Sequence, residues 1–154
     1  MRRFSNPFLY LLVLALLCFV LLASLGEMVW GAVPPSELHW TEKLFFNLCH
    51  QLPDRTYSID SVMMAVNTRC FGIFLGMAAG WLSIPLAGRY SAGKRWPVIL
   101  LMVAITLQIV DYLGNLVELW QNTNHSRALL GVLLGAALSI SVSDLFIIRK
   151  NSKS

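Results

Sequence analysis

The sequence predicts an all-α integral membrane protein with four transmembrane helices and an amphipathic helix on its outer surface. Three observations carry this: four long apolar runs, a charged fraction of only 13%, and a one-sided distribution of Lys and Arg. Hydrophobic residues make up 56% of the chain, and its mean hydropathy is +0.64. A hydrocarbon core of roughly 30 Å needs about 20 apolar residues per spanning helix. The runs lie at about 7–32, 70–87, 96–120 and 128–148, and too little chain remains for a separate soluble domain. Residues 1–154 therefore read as one membrane domain with an outer segment at 33–69.

The first run follows Met-Arg-Arg, as a secretory signal would. It exceeds the usual apolar core of about 7 to 15 residues and has no small-x-small cleavage site, so an uncleaved span is expected. Orientation follows from eight of the twelve basic residues: Arg2, Arg3, Arg89, Lys94, Arg95, Arg149, Lys150 and Lys153 all fall on one side. That side is expected to be cytoplasmic and to hold both termini. Trp30, Trp40 and Trp120 fit an outer aromatic belt and Trp96 the inner boundary. The net charge of +4 is thus an orientation signal and implies no nucleic-acid partner.

In the outer segment, Leu38, Leu44, Phe45, Leu48 and Leu52 recur near helical spacing, which predicts a surface helix over 37–52 that Pro53 ends. Residues 61–66 are expected to form a helical turn leading into the second span. That span carries Gly72, Gly76 and Gly80 at every fourth position, and the fourth carries Arg127, Gly131, Gly135, Ser139 and Ser143. Small residues so spaced let helix backbones approach closely in lipid.

The third span carries a polar stripe of Gln108, Asp111, Asn115 and Glu118. Counted back from Trp120 at about 1.5 Å per residue, Asp111 would lie roughly 13 Å below the outer belt. A lone carboxylate there costs at least about 2.5 kcal/mol, so a partner is expected, with Arg69 and Arg127 as candidates. "FNLCHQLPDR", residues 46–55, sits above the same end of the spans. His50, Gln51, Arg55, Arg69, Asp111, Asn115 and Arg127 are therefore expected around one outward-facing polar pocket. Guanidinium forks match phosphate and carboxylate, so a small anion or an anionic lipid head group is the expected ligand. A purely structural ion-pair network with helix caps is the competing reading. His39 is expected on the surface, and His125 as a cap of the fourth span.

The elements C-H-Q-x-P-x-R, R-C-x-G-x-x-x-G, an intramembrane Asp and N-x-x-R-x-x-x-G together resemble DUF2085, a family of small predicted bacterial membrane proteins of unknown function. The resemblance covers most of the chain beyond the first span and implies a bacterial inner membrane. It marks Cys49, His50, Gln51, Pro53, Arg55, Arg69, Cys70, Gly72, Gly76, Asp111, Asn124, Arg127 and Gly131. The family's usual pattern has a further cysteine three residues before the one matching Cys70, where this chain has Asn67. The resemblance supplies no activity.

Cys18 lies mid-span and reads as packing. Cys49 and Cys70, at the outer boundary, leave three uses open: a structural disulfide in an oxidising compartment, a zinc or copper site shared with His50 and a carboxylate or His125, or a redox-active pair. Asn67 in place of a further thiol favours the disulfide. A catalytic Cys49 with His50 as its base is disfavoured, because neighbours on a helix point about 100° apart. No phosphate-binding loop, dinucleotide fingerprint, H-E-x-x-H or G-x-S-x-G occurs. The expected function is binding of a small anionic or metal ligand in the polar pocket, with a membrane thiol-disulfide oxidoreductase using Cys49 and Cys70 as one alternative. The other is an assembly subunit that binds membrane proteins through its glycine stripes.

Overall fold

The computed structural model describes residues 3–4, 6–34, 37–91, 95–142 and 147–148, and these include six α-helices. Helix α1 spans Pro7–Ser24. Asn6 caps it by accepting the Leu9 N–H at 3.2 Å, and Pro7 occupies the first turn, where its missing N–H is no loss. The expected single run to residue 32 is broken at Gly26, whose φ of +62° reverses the chain. A Cβ there would also lie 2.8 Å from the Ala65 nitrogen, so only glycine fits. A short helix, α2 (Glu27–Trp30), follows.

The outer segment differs most from expectation. Helix α3 covers only Trp40–Phe45, and residues 46–52 turn and extend instead of continuing it. Its N-cap is His39, which is buried, not on the surface: its Nδ1 accepts the Thr41 N–H at 3.3 Å while Glu42 accepts the His39 N–H at 3.2 Å. Pro53 opens a short 3-10 turn, Pro53–Arg55. Residues 61–66 are not helical. Strands β2 (Ser58–Ile59) and β3 (Val62–Met63) pair as a hairpin whose turn residues, Asp60 and Ser61, both have positive φ.

Helices α4 (Thr68–Ser91) and α6 (Asn124–Ser141) form the central pair, with α1 packed on α4 and α5 (Trp96–Leu116) on α6. The pair is parallel and meets backbone to backbone. A Cβ on Gly72 or Gly76 would drive into the carbonyls of Ala128 or Val132, and one on Gly131 or Gly135 into those of Arg69 or Ile73. Ser139 closes the seam by donating to the Met77 carbonyl at 2.9 Å. Both small-residue stripes thus face each other within the chain; Ser143 lies outside the described residues. At the opposite end from the seam's Gly72, β1 (Arg3–Phe4) pairs with β4 (Ile147–Ile148), which brings the two chain ends together.

Helix α1 is joined to α4 by a reciprocal contact. The Tyr10 hydroxyl donates to the Trp81 carbonyl at 3.2 Å, the Trp81 indole donates to the Tyr10 carbonyl at 3.1 Å, and the two rings stack at 5.8 Å. Helices α1 and α5 are long and apolar enough to cross a membrane, and their outer faces are exposed apolar side chains such as Leu12, Leu16, Ile99 and Val110. Helix α5 stops at Leu116 rather than 120. Glu118, at φ +59°, reverses the chain and leaves the polar stripe, and the Trp120 ring folds back over Gly114. Asp111 is therefore five residues from the helix end, about 7–8 Å along the axis.

Candidate functional site

The N-terminal ends of α4 and α6, the C-terminal end of α5 and the loop after α3 line a cavity of about 430 Å³. Five of the seven residues expected around a pocket line it, His50, Arg55, Arg69, Asn115 and Arg127, with Cys70 beside them, whereas Gln51 and Asp111 are not among its lining residues. Each arrives from a different constraint. Arg69 and Arg127 lie in the first turns of the parallel helices α4 and α6, so the glycine seam sets their separation. Arg55 stands on the 3-10 turn, held by the Thr56 hydroxyl, which lies 2.8 Å from the Leu52 carbonyl and 3.1 Å from the Asn67 side-chain oxygen.

Asp111 finds its partner in Arg69, whose Nη2 donates to Oδ2. Arg127 does not share it. The same carboxylate oxygen accepts from Asn122 Nδ2 at 2.7 Å, and the Asn122 N–H donates to Asn115 Oδ1 at 3.2 Å, so the loop after α5 is clamped onto the stripe. Asn122 joins the site although the sequence pattern did not single it out; its signal is a polar residue just past the span that carries Asp111. Also unanticipated as lining were Leu52, Thr68, Tyr112 and Leu116, along with Asn67. Arg69 Nε and Thr68 Oγ1, both on lining residues, are buried without a hydrogen-bond partner among the described residues. Gln108 Nε2, one turn below Asp111, is a third such atom.

The consecutive Cys49, His50 and Gln51 take three separate roles. Cys49 is buried in the apolar cluster of Ala23, Phe45, Ala65 and Val66. His50 is exposed and faces the cavity. Gln51, expected to bind ligand, is instead a clasp: at φ +49° its amide donates to the Glu42 carbonyl at 2.8 Å and to the Ala65 carbonyl at 3.0 Å, which uses both N–H groups. It does not line the cavity.

Cys49 and Cys70 are side by side as free thiols. The Cys49 sulfur accepts from the Asn67 N–H at 3.2 Å and lies beside Cys70. The Cys70 donor, then the Asn67 and Gln51 amides and the neighbouring His50, hold the Cys49 thiol down at about 5 although burial pushes it up. The expected metal set does not assemble: among the described residues no three His, Cys, Asp or Glu side chains converge. His125 is engaged elsewhere, 3.0 Å from the Tyr57 hydroxyl, and the cap of α6 is Thr123, which accepts the Ser126 N–H at 3.1 Å.

A mostly helical chain with apolar side chains exposed along two long helices has the make-up of a membrane protein, and a polar, arginine-lined cavity lies at one end of it. The chain belongs to the family described as "Predicted membrane protein (DUF2085)", whose model matches residues 49–141 and so takes in every cavity residue. It is 28% identical over 102 residues to an uncharacterized protein of Methanocaldococcus jannaschii, and the match spans 64% of each chain. No solved structure matches it.

Proposed function

We propose that the chain is a multi-pass protein of the bacterial inner membrane, with four spans and both termini cytoplasmic, and that its outward-facing cavity binds a small anion. Support for four spans comes from α4 and α6, which lie between α1 and α5 and whose glycine, alanine and serine content suits an inner pair. The pairing of β1 with β4 supports a shared side for the termini.

The observation that carries anion binding is Arg127. It is half-buried at the cavity, has Arg55 and Arg69 within electrostatic reach, and forms no ion pair among the described residues. Asp111 is taken by Arg69, and the Asp54–Arg55 pair, at 3.5 Å, is exposed and weak. Three guanidiniums thus gather where the one buried carboxylate is already paired with Arg69, and an anion would relieve their repulsion. Inorganic phosphate should raise the melting temperature of the purified protein above that in chloride at matched ionic strength, and Arg127→Gln should abolish the difference. Equal effects of phosphate and chloride on the wild type would overturn the reading.

A second reading, thiol-disulfide exchange, is favoured by the neighbouring, unbridged Cys49 and Cys70. An incoming disulfide would be reduced to two thiols as this pair closes to a disulfide. Alkylation of freshly purified protein without reductant decides its starting state: modified sulfurs indicate the dithiol, and protection lifted only by reductant indicates the bridge.

A further inference from the structure

We propose that the anion in this cavity is the phosphate of an anionic phospholipid, which enters sideways from the outer leaflet with its acyl chains along α5. This rests on the anion-site reading above. The cavity is not polar all round: Tyr112 and Leu116, on its α5 side, are 57% and 62% exposed. They begin a stripe. Ile109, Ile105, Met102 and Val98 continue it at alternating spacings of three and four, so six exposed side chains share one face of the helix.

At about 1.5 Å per residue, the stripe runs roughly 27 Å from the cavity rim. One leaflet of hydrocarbon, roughly 15 Å, covers its upper half. A freely soluble anion has no use for an apolar wall that continues into the bilayer, whereas an amphiphile matches both halves of the site. The head group would meet Arg127 and the orphaned Arg69 Nε, and the chains would leave past Leu116. The guanidinium excess selects against zwitterionic head groups, whose ammonium would add a further positive charge to the cluster.

Native mass spectrometry of the full chain, exchanged into mixed micelles of phosphatidylglycerol and phosphatidylcholine, tests this with thermal stability as the fold control. The wild type should retain phosphatidylglycerol at least about tenfold over phosphatidylcholine, as expected for one charge-assisted contact. Arg127→Gln, or the exposed Arg55→Gln if the former does not fold, should remove that preference. The double variant Tyr112→Ser, Leu116→Gln should lose lipid yet keep the stabilisation by inorganic phosphate. If the double variant retains lipid like the wild type, or phosphate competes as strongly as lipid, the lipid proposal fails and the anion site stands. If neither ligand depends on Arg127 or Arg55, both readings fail together.

Discussion

Replacing Asp111 by Leu removes one member of the Arg69–Asp111 pair and leaves the other in place. The Asp111 side chain is only 12% exposed and that of Arg69 28%. Breaking a buried pair from one side costs about 3–5 kcal/mol, because the remaining charge stays desolvated. Arg69 keeps contact with the cavity, which places the expected loss near the low end, about 3 kcal/mol. Asn122 loses its carboxylate acceptor as well, a further contribution of about 1 kcal/mol. At about 2–4 °C per kcal/mol for a chain of this size, Asp111→Leu should melt roughly 8–16 °C below the wild type. The five tryptophans supply an intrinsic fluorescence signal for thermal unfolding in detergent. The double variant Arg69→Met, Asp111→Leu carries no orphaned charge and should recover most of the loss. A single variant melting within about 2 °C of the wild type, or a double variant no better than the single, would refute the reasoning.

Two further predictions follow from the site and the topology. Cys49 is held down to about 5 in the folded chain, against about 8.5 for an unfolded cysteine; the stabilisation this gives is complete above the unfolded value, declines as pH falls and is gone below about 5. The melting temperature of the wild type should therefore drop relative to Cys49→Ser between about pH 8 and pH 5, and parallel profiles would contradict the assignment. For topology, an impermeant thiol reagent applied to intact cells should label Gln121→Cys and spare Ser91→Cys, and the reverse pattern would invert the orientation.

The parts of this molecule that sequence pattern announced are those where one strong term dominates. Apolar runs located the helices α1, α4, α5 and α6 to within a few residues at most ends, because a long apolar run with few breakers favours an uninterrupted helix, and α1 and α5 are long and apolar enough to cross a membrane. The Arg69–Asp111 pair was foreseeable since a carboxylate at that depth needs a counter-charge. The outer segment was not. Its path is set by positive φ at Gln51, Asp60 and Ser61, none of them glycine, and by side chains that reach across the fold, such as Gln51 to the Ala65 carbonyl. The apolar spacing over 37–52 mimicked a long helix because Phe45 and Cys49 do face one core, but through a turn. Arg127, the alternative partner for Asp111, could not be separated from Arg69 by charge alone; the helix register decides it.

The glycine seam between α4 and α6 also has a mechanical consequence. Carbonyls of one helix sit in notches of the other at every fourth residue, so the pair behaves like a toothed rack. Sliding by less than one notch, about 6 Å, would drive a carbonyl into a Cα, so gradual travel along the axis is blocked. Arg69 and Arg127 ride on the two halves of that rack and keep a fixed gap. Helix α5 has no such teeth; its buried residues on this side are few and its tie to α4 is the Arg69–Asp111 bond. Widening of the cavity is left to its other walls, the loop that carries His50 and Arg55 and helix α5, whose tilt the Arg69–Asp111 bond would latch.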